Sequence, residues 1–95
     1  MAVDKIVFSG HAIQRMFERA ISKEDVLIVI AEGEVIDNYP DDHPYPSKLI
    51  LGRIDEKVIH VVMAKDDTNE ENIIVTTYIP DPQIWSNDYR TRRKS

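Results

Sequence analysis

Three apolar runs in the second half of the chain leave the fewest folds open. Lys48-Leu-Ile-Leu-Gly-Arg-Ile54, Lys57-Val-Ile-His-Val-Val-Met-Ala64 and Ile73-Ile-Val-Thr-Thr-Tyr-Ile79 are rich in β-branched residues, which fit a pleated, half-buried surface. Only Asp55-Glu56 separates the first two runs, and a polar stretch from about Asp66 to Asn72 separates the second from the third. Connections of that length join antiparallel neighbours. The pattern predicts a meander with the middle run at its centre. That run is apolar nearly throughout except for His60, which shares a face with Val58, Val62 and Ala64.

The first half reads as helical. At 100° per residue, Ala12, Ile13, Met16, Phe17 and Ala20 fall on one face of a helix running to about Ala20, with Ser9 as its N-cap. His11, Gln14, Arg15, Glu18 and Arg19 fall on the opposite face. Ser22 and Asp25 suggest a capping box for a second helix. Val26-Leu-Ile-Val-Ile-Ala31 makes that helix apolar nearly all round, so it should be wedged between the first helix and a sheet, with Gly33 as its stop. Lys5-Ile-Val-Phe8 is either a short edge strand or a lead-in, and Glu34-Val-Ile-Asp37 is β-capable. Asn38 to Ser47 holds three prolines and should be a stiff, exposed loop carrying Tyr39, His43 and Tyr45, with at least one of its tyrosines packed back onto the body. Pro80-Asp-Pro82 ends the sheet, and Gln83 to Tyr89 should form a short helical turn that returns Trp85 to the body. The expected architecture is α+β in one domain, residues 1–95: two N-terminal helices on a small antiparallel sheet of three to four strands, with a C-terminal helical turn.

Ninety-five residues can bury a modest core without help. The absence of cysteine excludes a disulfide framework, a thiol nucleophile and a cysteine-ligated zinc site within the chain. Neither a signal-peptide pattern nor a membrane-length apolar run is seen, so a cytoplasmic protein without membrane association is expected. The net charge of −5 argues against a nucleic-acid binder, but its distribution is uneven. Acidic pairs gather at apparent turns, whereas basic residues gather on the first helix and at Arg90-Thr-Arg-Arg-Lys-Ser95.

The residues that can carry chemistry are His11, Arg15, Arg19, His60, Tyr78, Arg90, Arg92 and Arg93. Metal-independent RNA cleavage needs a base for the 2′-hydroxyl, an acid for the leaving oxygen and cations for the phosphorane. Histidine suits the first two tasks and arginine the third. Each residue also has a plainer reading. His60 can be a satisfied core histidine, Tyr78 can bury its ring, and Arg15 can pair with Glu18 on a solvated face. A metal site from His11, His43 and His60 has no supporting spacing.

The order of motifs resembles domain of unknown function family 4258. It begins with Phe8-Ser-Gly-His-Ala-x-x-Arg-Met-x-x-Arg-x-Ile-Ser-x-Glu-Asp-Val26 and continues through Gly33-Glu-Val-Ile36, Tyr39-Pro-Asp-Asp, Pro44-Tyr-Pro-Ser47, Leu51-Gly-Arg53 and His60-Val-Val62. It closes with Thr77-Tyr-x-Pro-Asp-Pro82, Trp85 and Arg90-x-Arg92-Arg93. Members of that family resemble RelE/ParE-like and BrnT-like toxins. The resemblance implies a toxin that cleaves mRNA, in some cases on the ribosome, neutralised by a small antitoxin with a YgiT-type zinc finger. His11, His60 and Tyr78 would be catalytic, Arg15, Arg19, Arg90 and Arg92 would bind substrate, and no cofactor or metal would be required. The ribonuclease reading requires His11, His60 and the C-terminal arginines to converge. A non-catalytic interaction module predicts those groups scattered, with an apolar patch instead.

Overall fold

The computed structural model describes residues 5–93. Met1 to Asp4 and the last two residues of the basic run, Lys94 and Ser95, lie outside them. Strand β1 (Lys5–Phe8) leads into helices α1 (Gly10–Arg19) and α2 (Lys23–Glu32). Strands β2 (Glu34–Tyr39), β3 (Ser47–Ile54), β4 (Lys57–Asp66) and β5 (Glu71–Tyr78) follow. The sheet order is β1-β5-β4-β3-β2. Strands β2 to β5 are antiparallel neighbours, but β1 runs parallel to β5. The expected antiparallel sheet of three to four strands is therefore corrected to a mixed sheet of five. A four-residue run carries no local mark of its partner, and β1 pairs with the strand most distant in sequence.

Alternation sorts the side chains. Ile50, Ile59, Val61, Met63 and Ile74 point to one face, where they meet Ala12 and Met16 of α1 and Val26 and Val29 of α2 in the core. Fully burying each such aliphatic side chain contributes about 1.5–3 kcal/mol. A bulge at β5 ties α1 to the sheet. Met63 pairs with Ile74 but Val62 with Thr76, which leaves Val75 as the extra residue. The Ser9 hydroxyl donates to the Val75 carbonyl (3.0 Å) and accepts the Ala12 N–H as N-cap (3.0 Å). Helix α2 opens with a complete capping box, Ser22 Oγ accepting from Asp25 N (3.0 Å) and the Asp25 carboxylate from Ser22 N (3.1 Å).

The helices are less covered than their apolar content suggests. On α1, Ala12 and Met16 are buried, but Ile13 is 50% and Phe17 90% exposed. On α2, Val26 and Val29 are buried while Leu27 and Ile28 are exposed. Both helices lie in a single layer on one sheet face, so α2 is not wedged beneath α1. The left-handed cap is also displaced from the glycine. Ala20 ends α1 at φ 55°, whereas Gly33 ends α2 in extended backbone. Gly33 is required for space, since a Cβ there would stand 2.3 Å from the Val29 carbonyl oxygen and 2.6 Å from that of Leu51.

The opposite sheet face carries Leu49, Leu51, Val58, His60, Val62 and Tyr78. The C-terminal segment crosses it. The helical turn expected over Gln83 to Tyr89 is absent, and two turns closed by an antiparallel bridge between Trp85 and Arg92 replace it. Local side-chain acceptors compete with a helix here. The Asp81 carboxylate takes the Gln83 N–H (2.8 Å), and that of Asp88 takes the Arg90 N–H (3.0 Å). Trp85 returns to the body as expected and is buried.

Candidate functional site

His60 is the centre of the face opposite the helices, and it is 0% exposed. The register places it beside Tyr78 of β5 and Leu51 of β3. Its Nε2 lies 2.9 Å from the Tyr89 carbonyl oxygen and its Nδ1 3.3 Å from the Tyr78 hydroxyl. A carbonyl only accepts, so Nε2 carries the proton and Nδ1 offers its lone pair to Tyr78. Burial pushes the imidazole below its usual pKa, against the opposing pull of the Tyr89 carbonyl. His60 is therefore neutral at pH 7. Trp85 closes over it edge to face, with centroids 4.5 Å apart and planes at 89°.

Hydrogen bonds within the C-terminal segment position that carbonyl. Tyr89 adopts φ 60°, a left-handed conformation uncommon for a bulky side chain. Tyr89 N donates to Ser86 O and Ser86 N to Thr91 O, each at 2.8 Å. Arg93 fixes the base of the segment through Nε to Pro82 O (2.8 Å) and a guanidinium nitrogen to Asn87 Oδ1 (2.9 Å). Two other arginines stack on its aromatic rings. Arg92 lies 5.4 Å from the Trp85 centroid, and Arg53 of β3 lies 5.9 Å from that of Tyr89. Arg90 pairs with Glu34 of β2.

Tyr78, half buried, meets its neighbours at the surface of this cluster. Burial first, and then the Tyr39 phenol, raise its pKa against the pull of Arg92. Tyr39 is raised by burial and by the Asp37 carboxylate, and Arg92 again opposes. The charge of Arg92, stacked on Trp85, thus acts on two protonated phenols, with the imidazole behind one of them. That set can exchange a proton with a hydroxyl and neutralise an anion at the same place.

The structure brings together His60, Tyr78 and Arg92, and it puts Arg90 on the same face. It does not bring His11, Arg15 or Arg19 to them. Those three are exposed on α1, which covers the other side of the sheet. Arg15 pairs there with Glu18 at 3.3 Å. The convergence expected of the ribonuclease reading holds for His60, Arg92 and Arg90, and fails for His11 and for Arg93, which is bound to Pro82 and Asn87. Sequence reasoning missed Asp37, Glu34 and Arg53 as neighbours of the site, and it placed Tyr39 in the proline-rich loop where the structure puts it at the end of β2. Alternation along Glu34, Asp37 and Tyr39 was the available signal once β2 was taken as a strand, although the bulge at Ile36 breaks its parity.

The proline-rich loop is fastened separately. Ser47 Oγ donates to the Asp42 carboxylate (2.5 Å), and Tyr45 hydrogen-bonds the buried Asp66. Tyr45 thus packs back onto the body. His11, His43 and His60 lie on a helix, a loop and a buried strand, and among the described residues no three His, Asp or Glu side chains are grouped as metal ligands. No helix among them is long and apolar enough to cross a membrane.

No curated protein and no solved structure matches the chain. A family model does, over residues 8–79, a span that holds β1's last residue, both helices, His60 and Tyr78 and stops short of the arginine-bearing segment. The chain belongs to the family described as Domain of unknown function (DUF4258).

Proposed function

We propose that the chain is the toxin of a toxin–antitoxin pair and acts as a metal-independent endoribonuclease. The observation that carries this reading is the contact of His60 Nδ1 with the Tyr78 hydroxyl, beside Trp85 and the Arg92 guanidinium stacked on it. In the proposed reaction Tyr78 takes the proton of the substrate 2′-hydroxyl while passing its own to His60 Nδ1. The resulting imidazolium is held by its Nε2–H on the Tyr89 carbonyl. The 2′-oxygen attacks phosphorus, Arg92 offsets the developing charge, and the leaving 5′-oxygen takes a proton from Tyr39. A 2′,3′-cyclic phosphate and a 5′-hydroxyl result; the buried His60 returns its extra proton to solvent through Tyr78, and Tyr39 regains one from solvent. His60 never touches substrate and is a positioning residue and proton acceptor behind Tyr78. The net charge of −5 repels RNA from most of the surface and confines it to the arginine-bearing face. The small antitoxin, with its YgiT-type zinc finger, is the proposed protein partner, and ribosome-bound mRNA is among the substrates.

Primer extension on total RNA after a brief induction tests this. Wild type and Arg15→Ala/Arg19→Ala should generate the same new transcript ends. Tyr78→Phe should generate none, and Arg92→Ala should be slower by about 10²–10³-fold. RNA that is identical in induced and uninduced cells contradicts the reading. One observation favours a second reading, a non-catalytic interaction module: Phe17 is 90% exposed on α1. That reading predicts unchanged RNA and a partner whose capture is lost in Phe17→Ser.

A further inference from the structure

At the edge of that face, where α2 passes into β2, a cleft of about 310 Å³ is lined by Glu34, Arg53 and Arg90 together with Glu32, Gly33 and Gly52. Arg90 and Glu34 form an ion pair across it, and both side chains remain about half exposed. Arg53 contributes a second guanidinium, and among the described residues it has no carboxylate partner. Gly33 and Gly52 line the cleft with backbone alone, since a Cβ at either would collide with its neighbours. We propose that this cleft is a second phosphate subsite for single-stranded RNA, occupied in the free protein by the Glu34 carboxylate. The proposal rests on the placement of the scissile phosphate at Tyr78 and Arg92.

The geometry follows from the C-terminal segment. Arg90 and Arg92 are two residues apart on a stretch pinned by Arg93, so a strand that binds one is led to the other. A carboxylate presents the same pair of oxygens to a guanidinium as a phosphate does. An exposed ion pair is weak and easily exchanged. A phosphodiester would gain Arg53 as well as Arg90, whereas Glu34 is paired with Arg90 alone. Glu32 faces the same cleft and opposes any anion there, which makes two guanidiniums necessary. Displacing Glu34 couples substrate length to affinity. A dinucleotide with one phosphodiester leaves the pair intact, and a trinucleotide must open it.

The test uses the full chain and fluorescein-labelled 2′-O-methyl di- and triuridylates, which cannot be cleaved, read by anisotropy. Wild type should bind the trinucleotide roughly five-fold more tightly than the dinucleotide, an interaction on the scale of one exposed charge pair. Glu34→Gln should widen that ratio. Arg90→Ala and Arg53→Ala should abolish it while leaving dinucleotide binding unchanged, and the slope of log affinity against log salt for the trinucleotide should fall by about 0.7. Adding Glu34→Gln to Arg90→Ala should give no further gain. An unchanged length ratio in the arginine variants, a weaker trinucleotide complex in Glu34→Gln, or no binding of either probe overturns the proposal. Glu34→Gln keeps the question answerable if an arginine variant unfolds. Length-dependent binding without transcript cleavage in cells would leave the subsite standing and remove the nuclease.

Discussion

His60 shows how a single side chain can be both core and chemistry. Its carbonyl accepts the Thr77 hydroxyl (2.8 Å), both ring nitrogens are used, and Trp85 lies across it. The plainer expectation of a satisfied core histidine is therefore met, and the same contacts set its tautomer. Because its folded pKa is lowered, the unfolded chain takes up the proton first as pH falls. Stability from this group is complete above about pH 6.5 and declines as pH drops below it. Urea unfolding of wild type should accordingly give a lower midpoint at pH 5 than at pH 7.5. His60→Gln, which can keep a donor toward Tyr89, should lose about 1–2 kcal/mol at pH 7.5 and remove most of that difference. An unchanged pH difference in the variant would assign it to other groups. Asp66 acts lower on the scale. Its carboxyl is held below the usual range chiefly by the Asn69 side chain, with further bonds from the Asn69 and Thr68 N–H groups and the Tyr45 hydroxyl. That contribution is present above about pH 4 and is lost as pH falls through the lowered value.

Among the elements, those with strong local signals were legible and those fixed by distant partners were not. Both N-caps, the capping box and strands β3 to β5 follow from residue type and spacing. Parallel pairing of β1 with β5, the bulge at Val75 and the exposure of Phe17 depend on which surfaces meet, and no periodicity encodes that. The glycines make the same point. Gly33 satisfies the rule for a helix stop yet serves another purpose, as does Gly52, whose Cβ would stand 2.6 Å from Val29 Cγ2. The two sites should respond differently. Gly52→Ala should cost about 1–3 kcal/mol and be largely rescued by Val29→Ala, since the obstacle is a side chain. Gly33→Ala should cost at least as much and resist rescue by the same change, because the obstacles are backbone oxygens. Denaturant midpoints of the single and double variants decide this. Ser9→Ala should cost about 1 kcal/mol and free the α1 entry from the β5 bulge.

Across the whole molecule, the site exists because the two sheet faces have different covers. The helices seal one face with aliphatic side chains, and the proline-rich loop and the C-terminal segment cross the other with polar and aromatic ones. The sequence placed Trp85 on the body, where it is buried. It also grouped His11, Arg15 and Arg19 with His60, because helix phase shows which residues share a helix face and cannot show which sheet face that helix covers. The chemistry proposed for the site depends on a neutral, Nε2-protonated His60 whose Nδ1 receives the Tyr78 hydroxyl. Nitrogen-15 NMR of the histidine side chains across a pH titration measures this directly. His60 Nδ1 should be unprotonated and Nε2 protonated at pH 7, the ring should titrate below 6.5, and Tyr78→Phe should shift Nδ1 while leaving Nε2 in place. An Nδ1-protonated ring, or one charged at pH 7, would contradict it.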